Sequence, residues 1–461
     1  MLKAGRSAPA LLTLLGAGCS GSADRPDLLL VVVDTLRADH TSLHGYERHT
    51  TPALDALAAR GAHFERAYAA SSWTLPSMAM LLEGRARSHN AGELHAGTDN
   101  LFRATALAGY RNAAVVSNPL LGPAEGYGPD HEHYDLYPAA PSAGNNGWYA
   151  REVAERAEAL LAQADDRPLF LWLHFFDPHA PYIPSGGSLF PPHRDDTRRA
   201  RFRAALPESQ RDLFDDAAYG GIEDRIALYD TEIRRVDHAV ERVLKAAAQR
   251  NERREGAGTL VVFTSDHGEG LWTRASMEGE PLREDTHFPY LFSDHGLTLH
   301  EEQVHVPLVL AGPGVPAGHR EGAPVSLLDV VPTVLRLLDL RRPTGLDGVD
   351  LFDREALAAR QQLFGVTSRY TSALELGRHR LHLPREYLVE QRGMGPELFD
   401  LLEDPGETAP LDLPELSARL AADAAAWRER YGERPPTTAP PDPRRRELLD
   451  RLGYTSGQAD R

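Results

Sequence analysis

Short apolar, β-branched runs that end in polar residues recur along this chain, separated by longer stretches with helical spacing. They are LLLVVV (28–33) before Asp34, NAAVVS (112–117) before Asn118, LFLWLHFF (169–176) three residues before His179, TLVVFTS (259–265) before Asp266 and His267, and VPLVLAG (306–312). Strands that are apolar at consecutive rather than alternate positions are buried on both faces, the condition of a mostly parallel sheet between two layers of helices. The intervening segments supply those helices. Pro52 to Arg60 opens on Pro and is followed by Gly61, while Ile226, Tyr229, Ile233, Val236, Val240 and Leu244 keep a three-to-four spacing. Ser326 is placed to cap a third helix through VVPTVLRLL. Open parallel sheets bind ligands outside the carboxyl ends of their strands, so the edge carrying Asp34, Asn118, His179, Asp266 and His267 is the candidate active site.

A length of 461 residues accommodates one large α/β domain with an appended subdomain, or two or three ordinary domains. After about residue 342 the runs LFGVTS, RLHLP, YLVEQ and ELFDLL predict a small antiparallel sheet, and RPPTTAPPDPRRR from 434 predicts a flexible tail. The expected divisions are a signal segment at 1–24, a catalytic domain at 25–341, a C-terminal subdomain at 342–433 and the tail at 434–461. A net charge of −17 argues against nucleic acid or an anionic membrane surface as partner, and Arg198, Arg199 and Arg201 read as a solvated face. The single cysteine, Cys19, excludes an internal disulfide and any multi-cysteine metal site. Lys3 and Arg6 precede an apolar run that closes in GAGCS, the pattern of an export signal. LLGAGC resembles a bacterial lipobox, with Gly16 where leucine is usual, and implies a lipid anchor at Cys19 in a bacterial envelope. The membrane would be touched only through that anchor.

Three groups carry chemistry. Asp34 alone is an ordinary strand-end turn residue or a metal ligand, but adjacent Asp266 and His267 followed by Gly268 can offer an oxygen and an imidazole to one divalent cation. Thr74, in SSWTLPSMAMLLEG (71–84), reads either as the N-cap of a helix with Pro76 in its first turn or as a nucleophile at that helix N-terminus. A threonine hydroxyl needs activation, which a metal at Asp34, Asp266 and His267 supplies. His179 in FFDPHAPY and His295 in SDHGLTLHEEQVHVP are placed to contact an oxyanion or protonate a leaving group. His300 and His305 read as structural. The segment from Trp272 to Phe292, with its HFPYLF core, reads as a lid or a surface excursion.

Taken together, VVVDTLRADH, GYERHTTPALDALAARGAHFERAYA, WTLPSMAMLLEG, HFFDPHAPY, TSDHGE, HVPLVLAGPG and ELFDLLEDPGE resemble, in order, segments of the sulfatase family of the alkaline-phosphatase superfamily, over roughly residues 26 to 410. The resemblance implies an alkaline-phosphatase-like mixed, mostly parallel sheet covered by helices on both faces, plus a small antiparallel C-terminal subdomain. It implies one divalent cation (Ca²⁺, Mg²⁺ or Mn²⁺) held by Asp34, Thr74, Asp266 and His267, with Thr74 as nucleophile. It also implies that Asn118, His179 and His295 contact the transferred group. Usual members carry Cys or Ser, converted to formylglycine, in C/S-x-P-x-R; here the run is Thr74 to Met78, so both the aldehyde precursor and the arginine are missing. Thr35 stands where a second metal-binding Asp is usual. The expected activity is metal-dependent hydrolysis of a sulfated or phosphorylated small molecule, glycan or lipid. A phosphoglycerol or phosphoethanolamine type of transferase, and a catalytically silent binding protein, are the competing readings.

Overall fold

A computed structural model describes residues 25–431 apart from 90–91, 95–98, 138–148, 185, 195, 207 and 275–290. The signal segment with Cys19, the tail from 434 and the HFPYLF core short of Leu291 fall outside the described residues. No helix among the described residues is long and apolar enough to cross a membrane.

The strands in chain order are β1 (Asp27–Val33), β2 (Ala62–Tyr68), β3 (Arg111–Val116), β4 (His133–Leu136), β5 (Leu169–Phe175), β6 (Thr259–Ser265), β7 (His305–Ala311), β8 (His319–Glu321) and β9 (Val325–Ser326). They form one nine-stranded sheet in the order β4-β3-β5-β1-β6-β7-β2-β8, with β9 also on β2. β1 lies parallel between β5 and β6, whereas β7 runs antiparallel to both β6 and β2. The sheet is therefore mixed but mostly parallel.

Alternation inside β1 explains why its sequence is uniformly apolar. Leu29, Val31 and Val33 face the core formed with the long helix Asp216–Arg253 and the helix Ala150–Leu161; Leu28, Leu30 and Val32 face the helices Thr74–Glu83 and Val330–Leu337. The period-two rule still holds, with both faces dry. The expected helix at Pro52 spans Pro52–Ala59, and its first turn is capped from another element: Asp237 accepts from the Ala53 and Leu54 N–H groups. Ser326 caps as expected, accepting from Leu328 N–H ahead of Val330–Leu337.

A second sheet, β10 (Gln362–Val366), β11 (Tyr370–Glu375), β12 (His379–Pro384) and β13 (Glu397–Asp400), is antiparallel throughout and packs against the helix Pro414–Tyr431. The expected strand at YLVEQ is instead the helix Glu386–Arg392, closed by Gly393 in the left-handed region at φ 65°. This sheet is tied to the large one through β10, whose Val366 N–H donates to Ala70 O, and through buried Arg380, which pairs with Glu301 at 2.7 Å.

The turn after β5 holds a buried acid. Asp177 accepts from Ala150 N–H at 2.7 Å, joining that turn to the start of Ala150–Leu161, and burial pushes its carboxyl up to about 7. Between about pH 4 and pH 7 the folded carboxyl therefore holds more proton than the unfolded one, so stability falls as pH rises through this window and levels off above it. The expected loss is about 4 kcal/mol for a shift of that size. Asp177→Asn keeps an acceptor for Ala150 N–H and removes the charge, so its stability in urea titrations should change less from pH 4 to pH 7 than that of the parent.

Candidate active site

The carboxyl ends of β1, β5 and β6 converge, and Asp34, His174 and Asp266 with His267 sit there side by side. Asp34 follows β1, and its backbone N–H donates to Phe175 O at the end of β5. Thr35 then turns the chain with φ at 55°, a left-handed conformation costly for a β-branched residue. Three bonds hold that turn: Thr35 N–H to Asp266 Oδ1 (3.3 Å), Tyr229 OH to Thr35 O (2.7 Å), and Leu36 N–H to Ser265 Oγ (2.9 Å). The strain, together with a buried Thr35 hydroxyl that makes no hydrogen bond, predicts that Thr35→Gly raises chemical-denaturation stability by about 1 kcal/mol.

Thr74 is not the cap of its helix. The N-cap is Trp73, whose carbonyl accepts from Ser77 N–H, and Thr74 is the first helical residue. Its Oγ1 lies 3.2 Å from His267 Nε2 instead of bonding a helix N–H. His267 Nδ1 donates to Gly268 O at 2.9 Å, which assigns the other nitrogen as acceptor and turns it toward Thr74 Oγ1. The same Nε2 is 3.7 Å from Asp34 Oδ1 and 3.5 Å from Asp266 Oδ2. All four residues are fully buried.

Neither Asp34 Oδ1 nor Asp266 Oδ2 has a hydrogen-bond partner, while their other oxygens do. Burial, and then the charge of Asp266, pushes the Asp34 carboxyl well above its usual range, and burial pushes the His267 imidazole down to about 4. Two inward oxygens without donors and one unprotonated imidazole nitrogen, mutually within 4.8 Å, fit a divalent cation of intermediate hardness.

His179 and His295 join this group. The His179 ring stacks on Phe176 at 4.5 Å and meets His295 edge-on at 4.9 Å; the His295 ring lies 4.6 Å from that of His267. Asn118 is also present, but its Nδ2 donates to Asp34 Oδ2 at 2.8 Å and its Oδ1 accepts from Leu120 N–H. It orients the carboxylate. His300 and His305 lie elsewhere: His300 packs on His382, and His305 Nε2 donates to Glu65 O in the β2 bulge region.

Several supporting residues carry no motif spacing of their own. Ser77 donates to Asp266 O at 2.6 Å, fastening the Thr74 helix to the end of β6, and His174 is buried 3.9 Å from Asp266 Oδ2. Met78, at the position of the missing arginine, is fully buried in the core under the sheet rather than turned to the site. The feet of the Trp272–Phe292 segment are pinned together, Trp272 N–H donating to Phe292 O and Phe292 N–H to Arg274 O.

Comparison with known proteins supplies the family. The sulfatase family model matches residues 26–340. The N-acetylgalactosamine-6-sulfatase of Canis lupus familiaris is 23% identical over 487 residues, covering 87% of this chain and 84% of that one. The delta 4,5-hexuronate-2-O-sulfatase of Bacteroides thetaiotaomicron is 23% identical over 465 residues, covering 91% of each. Among solved structures, the phosphonate monoester hydrolase of Agrobacterium radiobacter superposes with a TM-score of 0.62 at 22% identity, covering 88% of this chain and 96% of that one. A protein solved with its substrate D-glucosamine-2-N,6-O-disulfate superposes with a TM-score of 0.66 at 17% identity, covering 88% and 98%. With a family model spanning most of its length, the chain belongs to the sulfatase family and is a hydrolase of sulfuric or phosphoric esters.

Proposed function

We propose that this enzyme cleaves its ester with Thr74 as a direct nucleophile, beside a divalent cation held by Asp34, Asp266 and His267. The observation that carries this reading is the placement of Thr74 Oγ1 at 3.2 Å from His267 Nε2, next to the two carboxylate oxygens that lack donors. When bound, the cation would supply Lewis-acid polarisation of the ester and lower the pKa of the Thr74 hydroxyl.

The chain's own residues do the rest. Thr74 Oγ1 gives up its proton to solvent and forms a bond to sulfur or phosphorus as the bond to the leaving oxygen breaks; when freed it takes a proton back from solvent. The first turn of Thr74–Glu83, to which Thr74 belongs, offers the positive end of the helix dipole to that reaction. His179 contacts the transferred group and His295 protonates the leaving alkoxide. Water then attacks sulfur or phosphorus, gives its proton to His295 and frees Thr74. A second attack on the central atom is needed because threonine, unlike a formylglycine hydrate, has no second hydroxyl through which to expel the group.

The relatives whose substrates are sulfated sugars support a sulfated or phosphorylated glycan as substrate class, and the phosphonate monoester hydrolase supports phosphorus as an alternative centre. Export and anchoring at Cys19 suit a substrate met outside the cytoplasm. The test is a side-by-side assay of Mn²⁺- and Ca²⁺-loaded protein on aryl sulfate, phosphate monoester and phosphodiester, with metal content measured on the same preparation. Bound metal and turnover on at least one ester are expected. An empty site with no turnover on any of the three supports the catalytically silent binding protein instead.

A further inference from the structure

Glu269 has no role in the reaction as written, yet it is completely buried beside it, two residues past His267. Its Oε1 lies 3.2 Å from Nδ1 of His295, and both side chains are 1% exposed. The carboxylate comes from the loop after β6 and the imidazole from the far side of the Trp272–Phe292 excursion, so the contact joins segments 26 residues apart. The backbone beneath the carboxylate is pinned on two sides. Glu269 N–H donates to Glu302 O at 3.0 Å, and Arg37 Nη1 donates to Glu269 O at 3.1 Å. Arg37 is itself held by Asp39 at 2.7 Å.

A carboxylate fixed in this way does to an imidazole what carboxylates behind metal-bound or catalytic histidines do: it selects the nitrogen that carries the proton and sets the ring's rotation. We propose that Glu269 is the positioning residue of His295. It accepts from His295 Nδ1–H, so that Nε2, on the other side of the ring, is the nitrogen that exchanges protons with the leaving group and with water. The inference rests on the role given to His295 above. The surroundings agree with a set orientation: the ring is bounded by His267 at 4.6 Å and by His179 at 4.9 Å, and the other carboxylate near Nδ1, that of Asp294, stands farther off at 3.7 Å.

The test compares Glu269→Gln, which keeps an oxygen acceptor, with Glu269→Met, which has similar length and none, and uses His295→Ala as the floor. Expected for Glu269→Met is a kcat lowered by about 10- to 100-fold with KM within about threefold, and for Glu269→Gln partial recovery of that loss. In [¹⁵N]histidine-labelled protein at alkaline pH, where the ring is neutral, the His295 signal, assigned by its loss in His295→Ala, should report an Nδ1–H ring in the parent and in Glu269→Gln. It should report a mixture of tautomers in Glu269→Met. His295→Ala with parental kcat contradicts the role of His295 itself, whereas an impaired His295→Ala beside a Glu269→Met at parental kcat overturns the positioning role alone. If Glu269→Met does not fold, the parent spectrum decides: an Nε2–H ring overturns the proposal.

Discussion

Thr74→Ala should lower kcat by ~10³-fold or more while the protein keeps its fold. The size follows from removing the atom that forms the covalent bond, since neighbouring side chains cannot replace it. Retention of the fold follows from where Thr74 sits. The N-cap position is held by Trp73, with no side-chain cap, and the Thr74 hydroxyl contacts His267 rather than a backbone N–H, so its loss should cost only about 1 kcal/mol. Thr74→Ser keeps the hydroxyl at the same place and should retain activity to within about tenfold. Steady-state kinetics and thermal denaturation on the three proteins check both halves of the expectation. A Thr74→Ala protein that turns over normally would remove the nucleophile assignment, and one that unfolds would restore the reading of Thr74 as a structural residue.

Asp34→Asn should reverse the stability order of parent and variant according to whether metal is present. Without metal, Asp34 and Asp266 bring two carboxylates into a fully buried site with one oxygen each lacking a donor, and burial already pushes Asp34 toward its protonated form. An amide removes one charge and still accepts from Asn118 Nδ2, so the metal-free variant should be more stable than the metal-free parent by about 1–3 kcal/mol. With metal the parent gains stability by mass action, about 4.1 kcal/mol at a thousandfold excess over Kd, and the variant gains little. Urea denaturation with and without Mn²⁺ reads both terms. A metal-free variant less stable than the parent would mean that the Asp34 charge is neutralised within the protein, leaving no place for a cation.

The strand edge was legible because chemistry and topology coincide there. A parallel strand buried on both faces is apolar over most of its length, so polar residues gather at its end, and Asp34, Asn118 and Asp266 each stand at or just past such an end. β2 was hidden for the opposite reason: Glu65 and Arg66 interrupt it at a bulge between Phe64 and Ala67, which destroys both continuity and alternation. In YLVEQ, β-prone side chains outweighed the signal that mattered, Gly393 as a left-handed helix stop. Thr74 looked like a cap because threonine and a nearby proline fit a helix start. The helix begins one residue earlier than that pattern implies, which frees the hydroxyl for His267. The Glu269–His295 pair was beyond reach, since its members are brought together only by closure of the 272–292 excursion at its base.

The most direct measurement is peptide mass spectrometry of the metal-loaded enzyme, acid-quenched during turnover of whichever ester it cleaves. The predicted result is one sulfuryl or phosphoryl group on Thr74 in the parent and none in Thr74→Ala. A covalent group on any other residue, or full turnover by Thr74→Ala, would contradict the account.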